Sequence, residues 1–275
     1  MNDHFRALIV NTRLATSQLF QFDSAFAAGL RAREVWPKEA FTVQSALSHD
    51  WYRASLVTLT ADGGSALVYE QLAASPEPAL DVVLVCAVLG RQRMLPVAQK
   101  SAELGCSGLI PLLSTHAVAA LELAKEKPWA WQGQAIKGAR QCRRGRVPWV
   151  GSPMSLTHTL AHQALRAAEL VYVMDDVEWP ANVHAPRGIG RCRDANGDDA
   201  NGDDASALAV QRVVLAVGPE GGWSADERIQ WQAYGALRFQ LGPRVLRAET
   251  AVFAGLAVLQ HHHGDFQHAL LNSTS

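Results

Sequence analysis

The sequence predicts an α/β protein in which a mainly parallel sheet follows a smaller, β-rich domain. Beyond residue 80, continuous apolar runs such as Val82 to Leu89 alternate with segments of helical periodicity, which is typical of parallel strands joined by crossover helices. Before residue 72 the chain is rich in short β-type stretches. Between the two parts lies Ala73 to Pro78, whose paired prolines interrupt both helices and strands. We therefore predict two domains, at residues 1–74 and 80–268.

The N-terminal domain is predicted from strand-like stretches and one hairpin signal. The signal is Asp62-Gly63-Gly64, since glycine and aspartate favour the tight turns that join antiparallel strands. The strand-like stretches are Ala7 to Val10, Phe41 to Ser45, Ser55 to Thr60 and Ala66 to Tyr69. Short strands at this spacing are typical of a small β-domain.

The C-terminal domain is predicted as alternating strands and helices. Its first helix has apolar residues at helical spacing and ends at Gly105, a suitable C-cap residue. Strands are predicted at Val82 to Leu89, Gly108 to Leu113, Leu170 to Met174, Val213 to Val217 and Leu237 to Leu241. Helices are predicted at Leu95 to Leu104, Leu160 to Glu169, Ala225 to Tyr234 and Ala251 to Gln260.

Composition excludes several other classes of protein. Of the 275 residues, 48% are apolar, which is enough to offset chain entropy and to exclude disorder as the main state. Cys86, Cys106, Cys142 and Cys192 are scattered and form no C-x-x-C pair, which indicates reduced thiols. The longest apolar run is far shorter than the ~20 residues of a membrane helix, and the N-terminus has no signal-peptide pattern. We expect a cytoplasmic protein with no membrane partner.

Two segments invite a metal-binding interpretation that we do not favour. The tandem ANGDD repeat within residues 194–206 is rich in aspartate but lacks the closing glutamate of an EF-hand loop, so we predict a solvated, low-complexity insertion. His261, His262 and His263 project about 100° apart if they lie on a helix, so they cannot converge on one ion. We predict a helix tail and no metal site.

A glycine-rich segment gives the first functional signal. The predicted strand Val213 to Val217 runs directly into Gly218-Pro-Glu-Gly-Gly222, and Ser224 with Glu227 has the spacing of a capping box that opens a helix. Glycines let the backbone approach a ligand closely, and open α/β sheets bind ligands at the carboxyl ends of their strands. The segment is neither G-x-G-x-x-G nor a P-loop, so dinucleotide and nucleoside-triphosphate sites lose their support.

A second segment, Leu241-Gly-Pro-Arg-Val-Leu-Arg-Ala-Glu-Thr-Ala251, repeats this arrangement. It places glycine and proline after a short strand, followed by Arg247 and Glu249, and Thr250 is predicted to cap the next helix. Arg247 and Glu249 also have the composition of a structural ion pair. Two such loops at neighbouring strands can together enclose one small ligand.

These two segments, in this order and followed by an apolar helix ending near Gly264-Asp265, resemble the RsmE family of the SPOUT superfamily. The family methylates N3 of a uridine in 16S rRNA. The resemblance extends to Arg93-Met94, to Lys100 through Gly105, to Ile110-Pro-Leu112 and to Gln141 through Pro148, and so spans roughly residues 82–264. It implies a trefoil-knotted α/β domain, a PUA-like β-barrel at the N-terminus, a homodimer and S-adenosylmethionine as the cofactor.

The resemblance also implies the site residues. The cofactor is expected to lie among the strand end at Val173-Met174-Asp175 and the two loops, held by Val173, Met174, Val217, Gly218, Pro219, Glu220, Gly221, Gly222, Leu241, Gly242, Val245, Leu246, Arg247, Thr250 and Ala251. Because N3 of uridine carries a weakly acidic proton, the reaction needs a proton acceptor or stabilisation of the developing anion. We expect Arg144 and Arg247 to act electrostatically and Glu220 or Glu249 to accept the proton; no spacing argument chooses between the glutamates.

The predicted RNA surface is a basic stretch, and the acidic insertion offsets its charge in the net charge of -1. It comprises Lys137, Arg140, Gln141, Arg143, Arg144 and Arg146, and we add Arg31 and Arg33 of the N-terminal domain. The expected partner is 16S rRNA of the small ribosomal subunit. For the homodimer we expect an interface on the last helix, at Val252, Leu256 and Leu259. Two alternatives remain open: the same chemistry on another RNA such as tRNA, and a non-catalytic rRNA-binding assembly factor.

Overall fold

The computed structural model describes residues 7–179 and 210–268. The ANGDD insertion and Cys192, both singled out from the sequence, lie outside the described residues. The remaining three cysteines are free thiols, as expected. In the described ranges, no helix combines the length and apolar character needed to cross a bilayer.

The N-terminal part forms a five-stranded, barrel-like sheet around its own core. Its strands are β1 (Ile9–Val10), β2 (Leu19–Asp23), β3 (Ala40–Ser45), β4 (Trp51–Leu59) and β5 (Gly63–Gln71), in the order β1-β3-β4-β5-β2. All neighbours are antiparallel except β1 and β3. The predicted hairpin is confirmed, because β4 and β5 pair on either side of Asp62.

Two elements of this part were not predicted. Strand β2 completes the sheet, and helix α1 (Ser24–Ala32) follows it directly, with the Asp23 carboxylate accepting a hydrogen bond from the Phe26 amide at 2.9 Å. Phe26 and Leu30 on α1 are buried against the sheet. An aspartate N-cap followed by an apolar face is the signal that would have predicted α1.

The second part is built on a seven-stranded sheet in which every pair of neighbours is parallel. This confirms the predicted α/β class with a mainly parallel sheet. The strands are β6 (Asp81–Ala87), β7 (Cys106–Leu113), β8 (Trp149–Val150), β9 (Met154–Ser155), β10 (Leu170–Met174), β11 (Arg212–Val217) and β12 (Leu237–Phe239). Their order is β12-β10-β11-β6-β7-β8, and β9 pairs with β7.

Helices cover both faces of this sheet. They are α2 (Arg91–Glu103), α3 (Trp129–Gln141), α4 (Leu156–Leu160), α5 (Gln163–Arg166), α6 (Ala225–Tyr234) and α7 (Ala248–His263), with 3-10 turns at Ala120–Glu126 and Asp265–His268. Alternate residues of β6 and β11 enter different cores: Leu84 and Leu215 pack beneath α7, whereas Val83 and Val214 pack near Trp223 and Trp231. Burial on both faces explains the continuous apolar runs.

Helix α7 differs from the prediction in two ways. It begins at Ala248 rather than Ala251, and its N-cap residue is Arg247, so Thr250 lies inside the helix and does not cap it. The stripe Val252, Leu256 and Leu259, which we expected to form a dimer interface, is at most 3% exposed and packs in the core of this chain. The interface prediction for these three residues is therefore wrong. The histidine tail lies on the helix, as predicted.

The basic stretch, which spans the end of α3 and the residues after it, packs against the N-terminal part of the chain. Glu77, in the segment between β5 and β6, accepts hydrogen bonds from Arg144 Nη2 at 2.8 Å and from the Arg146 amide at 2.8 Å. The Glu77 and Arg144 side chains are only 7% and 5% exposed. The Thr42 hydroxyl donates to the Arg143 carbonyl at 2.9 Å. These contacts join the basic stretch to the N-terminal sheet through a hydrogen bond, and to the segment between the two sheets through a buried ion pair.

Candidate functional site

A cavity of about 380 Å³ lies at the carboxyl ends of β10, β11 and β12. The three strands end there because they are parallel and adjacent. Open α/β sheets bind ligands at this edge. The lining residues come from the strand ends and the two glycine-containing loops: Met174 to Val177, Val217 to Trp223, Arg228, Phe239 to Leu246, Ala248 and Ala251.

The glycine-rich loop forms one wall of the cavity. Gly222 has a φ of 69°, in the left-handed region that favours glycine, and its amide donates to the Pro219 carbonyl at 2.9 Å. The Trp223 indole donates to the Met174 carbonyl at 2.9 Å, which ties the loop to the end of β10. Ser224 and Glu227 then form the predicted capping box at the start of α6.

Residues distant in sequence hold this loop in place through hydrogen bonds and an ion pair. The Glu227 carboxylate, in a residue only 5% exposed, also accepts a hydrogen bond from the Thr115 amide at 2.9 Å. His116 Nδ1 lies 3.0 Å from the Gly222 carbonyl, and Arg93 forms an ion pair with Glu220. Burial raises the pKa of Glu227, but hydrogen bonds from the Ser224 and Thr115 amides outweigh it, so the net pKa is lowered. The loop conformation therefore depends on α2 and on the segment after β7.

An acidic residue at the end of β10 organises the opposite wall. The Asp175 carboxylate, 1% exposed, accepts hydrogen bonds from Arg228 Nε at 2.7 Å and from the Trp179 indole at 2.8 Å. Burial raises the pKa of Asp175, but these hydrogen bonds outweigh it and leave the pKa below its usual value. The same hydrogen bond raises the pKa of Arg228. Asp175 is therefore ionised at neutral pH and paired within the cavity wall.

The second loop closes the cavity on its outer side. Gly242 has a φ of 70°, and Arg244 and Val245 are exposed, with Val245 83% accessible. At the start of α7, Ala248 and Ala251 face the cavity. Small side chains there leave room beside the sheet for a ligand.

Most of the predicted cofactor residues line this cavity, and three do not. Val173, Arg247 and Thr250 lie outside the lining. Residues that line the cavity but were not among the predicted cofactor residues are Asp175, Asp176, Val177, Trp223, Arg228, Phe239, Gln240, Pro243, Arg244 and Ala248. Asp175 was part of the strand end expected beside the cofactor, but Arg228 is one of several polar residues on an ordinary amphipathic helix and gave no signal.

The two candidate proton acceptors have different surroundings. Glu220 lines the cavity and is 43% exposed, with Arg93 as its ionic partner. Glu249 lies in the first turn of α7, outside the lining, and no hydrogen bond within the described ranges reaches its buried Oε2. Burial, followed by the charge of Glu249, raises the pKa of the Cys86 thiol to about 12. Glu249 therefore lies near Cys86, at the end of β6.

Two predicted arginines are committed elsewhere in the fold. Arg144, expected at the active site and on the RNA surface, lies outside the cavity lining, and its buried guanidinium binds Glu77 and the carbonyls of Ala102 and Cys106. Arg33, expected on the RNA surface, is 4% exposed, and burial lowers its pKa to about 10. The structure does not bring either guanidinium to these surfaces, because both are buried where the N-terminal sheet meets the second part of the chain.

The other predicted RNA-binding residues are exposed, but two are engaged. Arg140 donates to the Glu34 carbonyl and to Glu39, both at 2.9 Å, and Arg31 donates to the Thr60 carbonyl at 2.7 Å. The remaining exposed residues of the basic stretch are Lys137, Gln141, Arg143 and Arg146. Among the described residues, no group of histidine, cysteine, aspartate and glutamate side chains has the arrangement of a metal site.

The fold and the cavity define an α/β domain with a ligand-sized cavity at the carboxyl edge of a parallel sheet. A family model described as RNA methyltransferase domain matches residues 75–260. The match covers more than half of the chain and includes every element around the cavity, so the chain belongs to this family.

Several curated relatives share one name, ribosomal RNA small subunit methyltransferase E, which confirms the resemblance seen in the sequence. The protein of Buchnera aphidicola subsp. Schizaphis graminum is 27% identical over 173 residues, covering 61% of this chain and 59% of the relative. The protein of Bacillus subtilis is 24% identical over 226 residues, covering 78% of this chain and 79% of the relative. This chain thus spans less than two thirds of the length of the Buchnera relative.

Solved structures share the fold. Ribosomal RNA small subunit methyltransferase E of Neisseria gonorrhoeae, bound to S-adenosyl methionine, is 25% identical with a TM-score of 0.59 and covers 94% of this chain and 98% of its own. A methyltransferase of Legionella pneumophila, in complex with SAM, is 24% identical with the same TM-score. The alignment covers 95% of this chain and 100% of the Legionella chain. Both comparisons span the N-terminal sheet and the cavity-bearing sheet, which confirms the predicted pairing of a PUA-like barrel with a SPOUT-type domain.

Proposed function

We propose that this protein methylates N3 of a uridine in 16S rRNA of the small ribosomal subunit, with S-adenosylmethionine as the methyl donor. The observation that carries the proposal is the cavity formed by the Gly218 to Gly222 loop and the Leu241 to Leu246 loop at the carboxyl edge of the sheet. The names of the curated relatives support the rRNA substrate, and the bound SAM of the Neisseria structure supports the cofactor.

The cavity suits a ligand of this kind. Its volume of about 380 Å³ lies within the ~300–1,000 Å³ of typical small-molecule pockets. Apolar side chains such as Leu241 and Leu246 can contact an adenine ring, while the glycine-rich loop offers backbone groups for hydrogen bonding. When bound, S-adenosylmethionine supplies a methyl group on a positively charged sulfur.

The chain itself must handle the proton of the uridine ring. Because N3 is only weakly acidic, a carboxylate near the cavity would assist proton loss, and a nearby cation would stabilise the anion that develops on the base. We propose Glu220 or Glu249 as the acceptor and Arg247, which is exposed at the start of α7, as the cation. Glu220 has the better position, since it lines the cavity.

One experiment separates the proposed function from its alternatives. The full chain is incubated with methyl-labelled cofactor and with either immature small subunits or total tRNA, and the methylated nucleotide is mapped. Label at N3 of one 16S uridine is the expected result. Label only in tRNA would move the activity to another RNA, and no label with retained rRNA binding would favour an assembly factor.

The same assay tests the proton acceptor. Glu220→Gln and Glu249→Gln preserve side-chain shape but remove the basic oxygen, so the variant that lacks the acceptor should lose about 100-fold or more in turnover. Unchanged turnover in both variants would exclude a glutamate base. Methylation by each variant is compared with its cofactor affinity, so that a binding defect is not mistaken for a chemical one.

We also propose an RNA surface restricted to Lys137, Arg143 and Arg146, since these cations of the basic stretch are exposed, whereas the exposed Arg140 is paired with Glu39. Charge reversal at Lys137 or Arg143 should weaken rRNA binding and lower the salt dependence by about one unit per lost phosphate contact. An unchanged salt slope would exclude them.

We also propose that the protein is a cytoplasmic homodimer. The trefoil knot remains a prediction. The part of α7 that is incompletely covered in one chain includes Phe253, Ala254, Ala257 and Val258, an apolar face suited to a partner copy. Sedimentation that shows only monomer at micromolar concentration would contradict the dimer.

A further inference from the structure

Asp175 and Arg228 form an ion pair inside the cavity wall. Neither residue belongs to the two glycine-containing loops. Arg228 Nε and Nη2 donate to the Asp175 carboxylate at 2.7 and 3.3 Å, and the side chains are 22% and 1% exposed. The Trp179 indole and the Val177 amide donate to the same carboxylate, at 2.8 and 3.2 Å. Asp175 is thus held from both sides, by α6 and by the segment that follows β10.

This geometry fixes the orientation of the Arg228 guanidinium but uses only some of its N–H donors. Arginine has five N–H donors, and Asp175 engages two of them. The guanidinium lies beside the glycine-rich loop, since a Cβ built on Gly222 would be 3.7 Å from Nη2. Both Arg228 and Gly222 line the cavity. Donors on the cavity side of Arg228 are therefore in place for a ligand.

Among the described residues, Arg228 and Arg244 are the arginines that line the cavity, and only Arg228 is held in place by a hydrogen-bonded carboxylate. Arg244 is exposed on the outer loop. Arg228 is held by a buried carboxylate whose own position is set by Trp179. A pre-oriented guanidinium loses less conformational freedom when it binds an anion than a mobile one does.

We infer that Asp175 is a positioning residue that holds Arg228 in the cavity wall, and that Arg228 binds an anionic group of the ligand. This rests on the proposed function: for S-adenosylmethionine the group is the carboxylate of its amino-acid part. Arg228 then contributes to recognition of the whole cofactor rather than of its adenosine portion alone.

A pair of ligands isolates this contact. S-adenosylhomocysteine and 5′-methylthioadenosine both contain adenosine and an uncharged sulfur, but only the former has the amino-acid carboxylate. By calorimetry on the full chain, Arg228→Gln should weaken binding of S-adenosylhomocysteine about 10-fold or more while changing binding of 5′-methylthioadenosine by less than about 3-fold. Equal effects on both ligands would overturn the assignment.

The positioning role of Asp175 has its own test. Asp175→Asn retains the shape but loses the charge that holds Arg228, so affinity for S-adenosylhomocysteine should fall selectively, as in Arg228→Gln. If Asp175 acted only by neutralising Arg228, its removal would instead increase that affinity, which would overturn the inference. Asp226→Asn, an exposed carboxylate at the start of the same helix, is the matched control and should bind both ligands as wild type does.

Hydrogen exchange keeps this inference separate from the proposed function. If wild type binds neither ligand, the proposed cofactor is wrong, whereas the Asp175 contact is still tested in the ligand-free protein. Amides of residues 176–179 and 218–223 should then exchange faster in Asp175→Asn but not in Asp226→Asn. Unchanged exchange would overturn the positioning role. If Asp175→Asn does not fold, Trp179→Phe removes only one donor to the carboxylate and serves in the same measurements.

Discussion

The Glu227 side chain, on α6, joins this helix to the segment that precedes it and to the segment after β7. Its Oε2 accepts a hydrogen bond from the Ser224 amide at 2.8 Å, which completes the capping box of α6, and its Oε1 accepts one from the Thr115 amide at 2.9 Å. A carboxylate in this position is ionised in the folded protein, and its lowered pKa links protonation to folding.

The acid stability of the protein should report this residue. Because the folded-state pKa of Glu227 lies below the ordinary 4.5, its contribution is present above that value and is lost as pH falls through the folded-state pKa. Glu227→Gln should cost about 1–3 kcal/mol of unfolding free energy at pH 7 and flatten the loss of stability below pH 4.5. Urea unfolding at several pH values checks this. Asp226→Asn is the exposed control, and an acid limb of the same steepness in Glu227→Gln would contradict the linkage.

At this scale the sequence predicted what is local and missed what is distant. The Ser224 and Glu227 capping box has a spacing that can be recognised within one turn of helix. The hydrogen bond from Thr115 joins residues 112 positions apart, and that from Arg228 to Asp175 joins residues 53 apart. Neither partner has a composition that distinguishes it from other polar residues, so only the folded chain brings them together.

Among the elements, α7 packs closely against the strands that carry the cavity. At Gly255 a Cβ would come 2.9 Å from Leu215 Cδ2 on β11 and 3.1 Å from Met174 Sδ on β10. A helix can approach a sheet this closely only where one residue lacks a side chain. Ala248 and Ala251 are on the same helix, so its distance from the sheet also sets the width of the cavity.

Substitution of Gly255 should separate crowding from helix propensity. Gly255→Ala gains up to about 1 kcal/mol from propensity, which offsets a mild clash, whereas Gly255→Val should destabilise by about 1–3 kcal/mol through overpacking. Gly133→Ala and Gly133→Val on α3 are the controls, because a Cβ at Gly133 would meet nothing within 4 Å. Thermal unfolding of all four variants checks this; equal effects of valine at positions 255 and 133 would contradict a close approach.

Predictability at the element scale follows burial. Strands β6, β10 and β11 are buried on both faces, and their continuous apolar runs were recognised within a residue or two of their actual ends. Strand β2 and helix α3 were not predicted. Strand β2 alternates exposed and partly or fully buried residues over only five positions, and α3 carries part of the basic stretch, whose charges were interpreted as an RNA surface. The start of α7 was missed because Arg247 caps it without a side-chain hydrogen bond.

For the whole molecule, the most consequential difference between sequence and structure is the location of the basic stretch. Its charges predicted an RNA surface, yet Arg140 and Arg144 bind Glu39 and Glu77, more than 60 positions earlier in the chain. Charge composition cannot distinguish a cation that faces solvent from one paired across a junction. The two loops at the cavity differ from the basic stretch, because each follows a strand end that places it at the cavity.

The Glu77–Arg144 pair should therefore control how the N-terminal sheet is attached. Both side chains are buried, and Arg144 also donates hydrogen bonds to the Ala102 and Cys106 carbonyls. Removing one partner of the pair therefore leaves an uncompensated buried charge. Glu77→Gln should cost about 3–5 kcal/mol and should expose residues 72–80 to proteolysis before the rest of the chain unfolds. Arg140→Gln breaks an ion pair whose side chains are 36% and 39% exposed and should cost at most about 1 kcal/mol. Limited proteolysis and thermal unfolding compare the two variants, and similar losses would show that burial of the Glu77–Arg144 pair does not hold the two parts together.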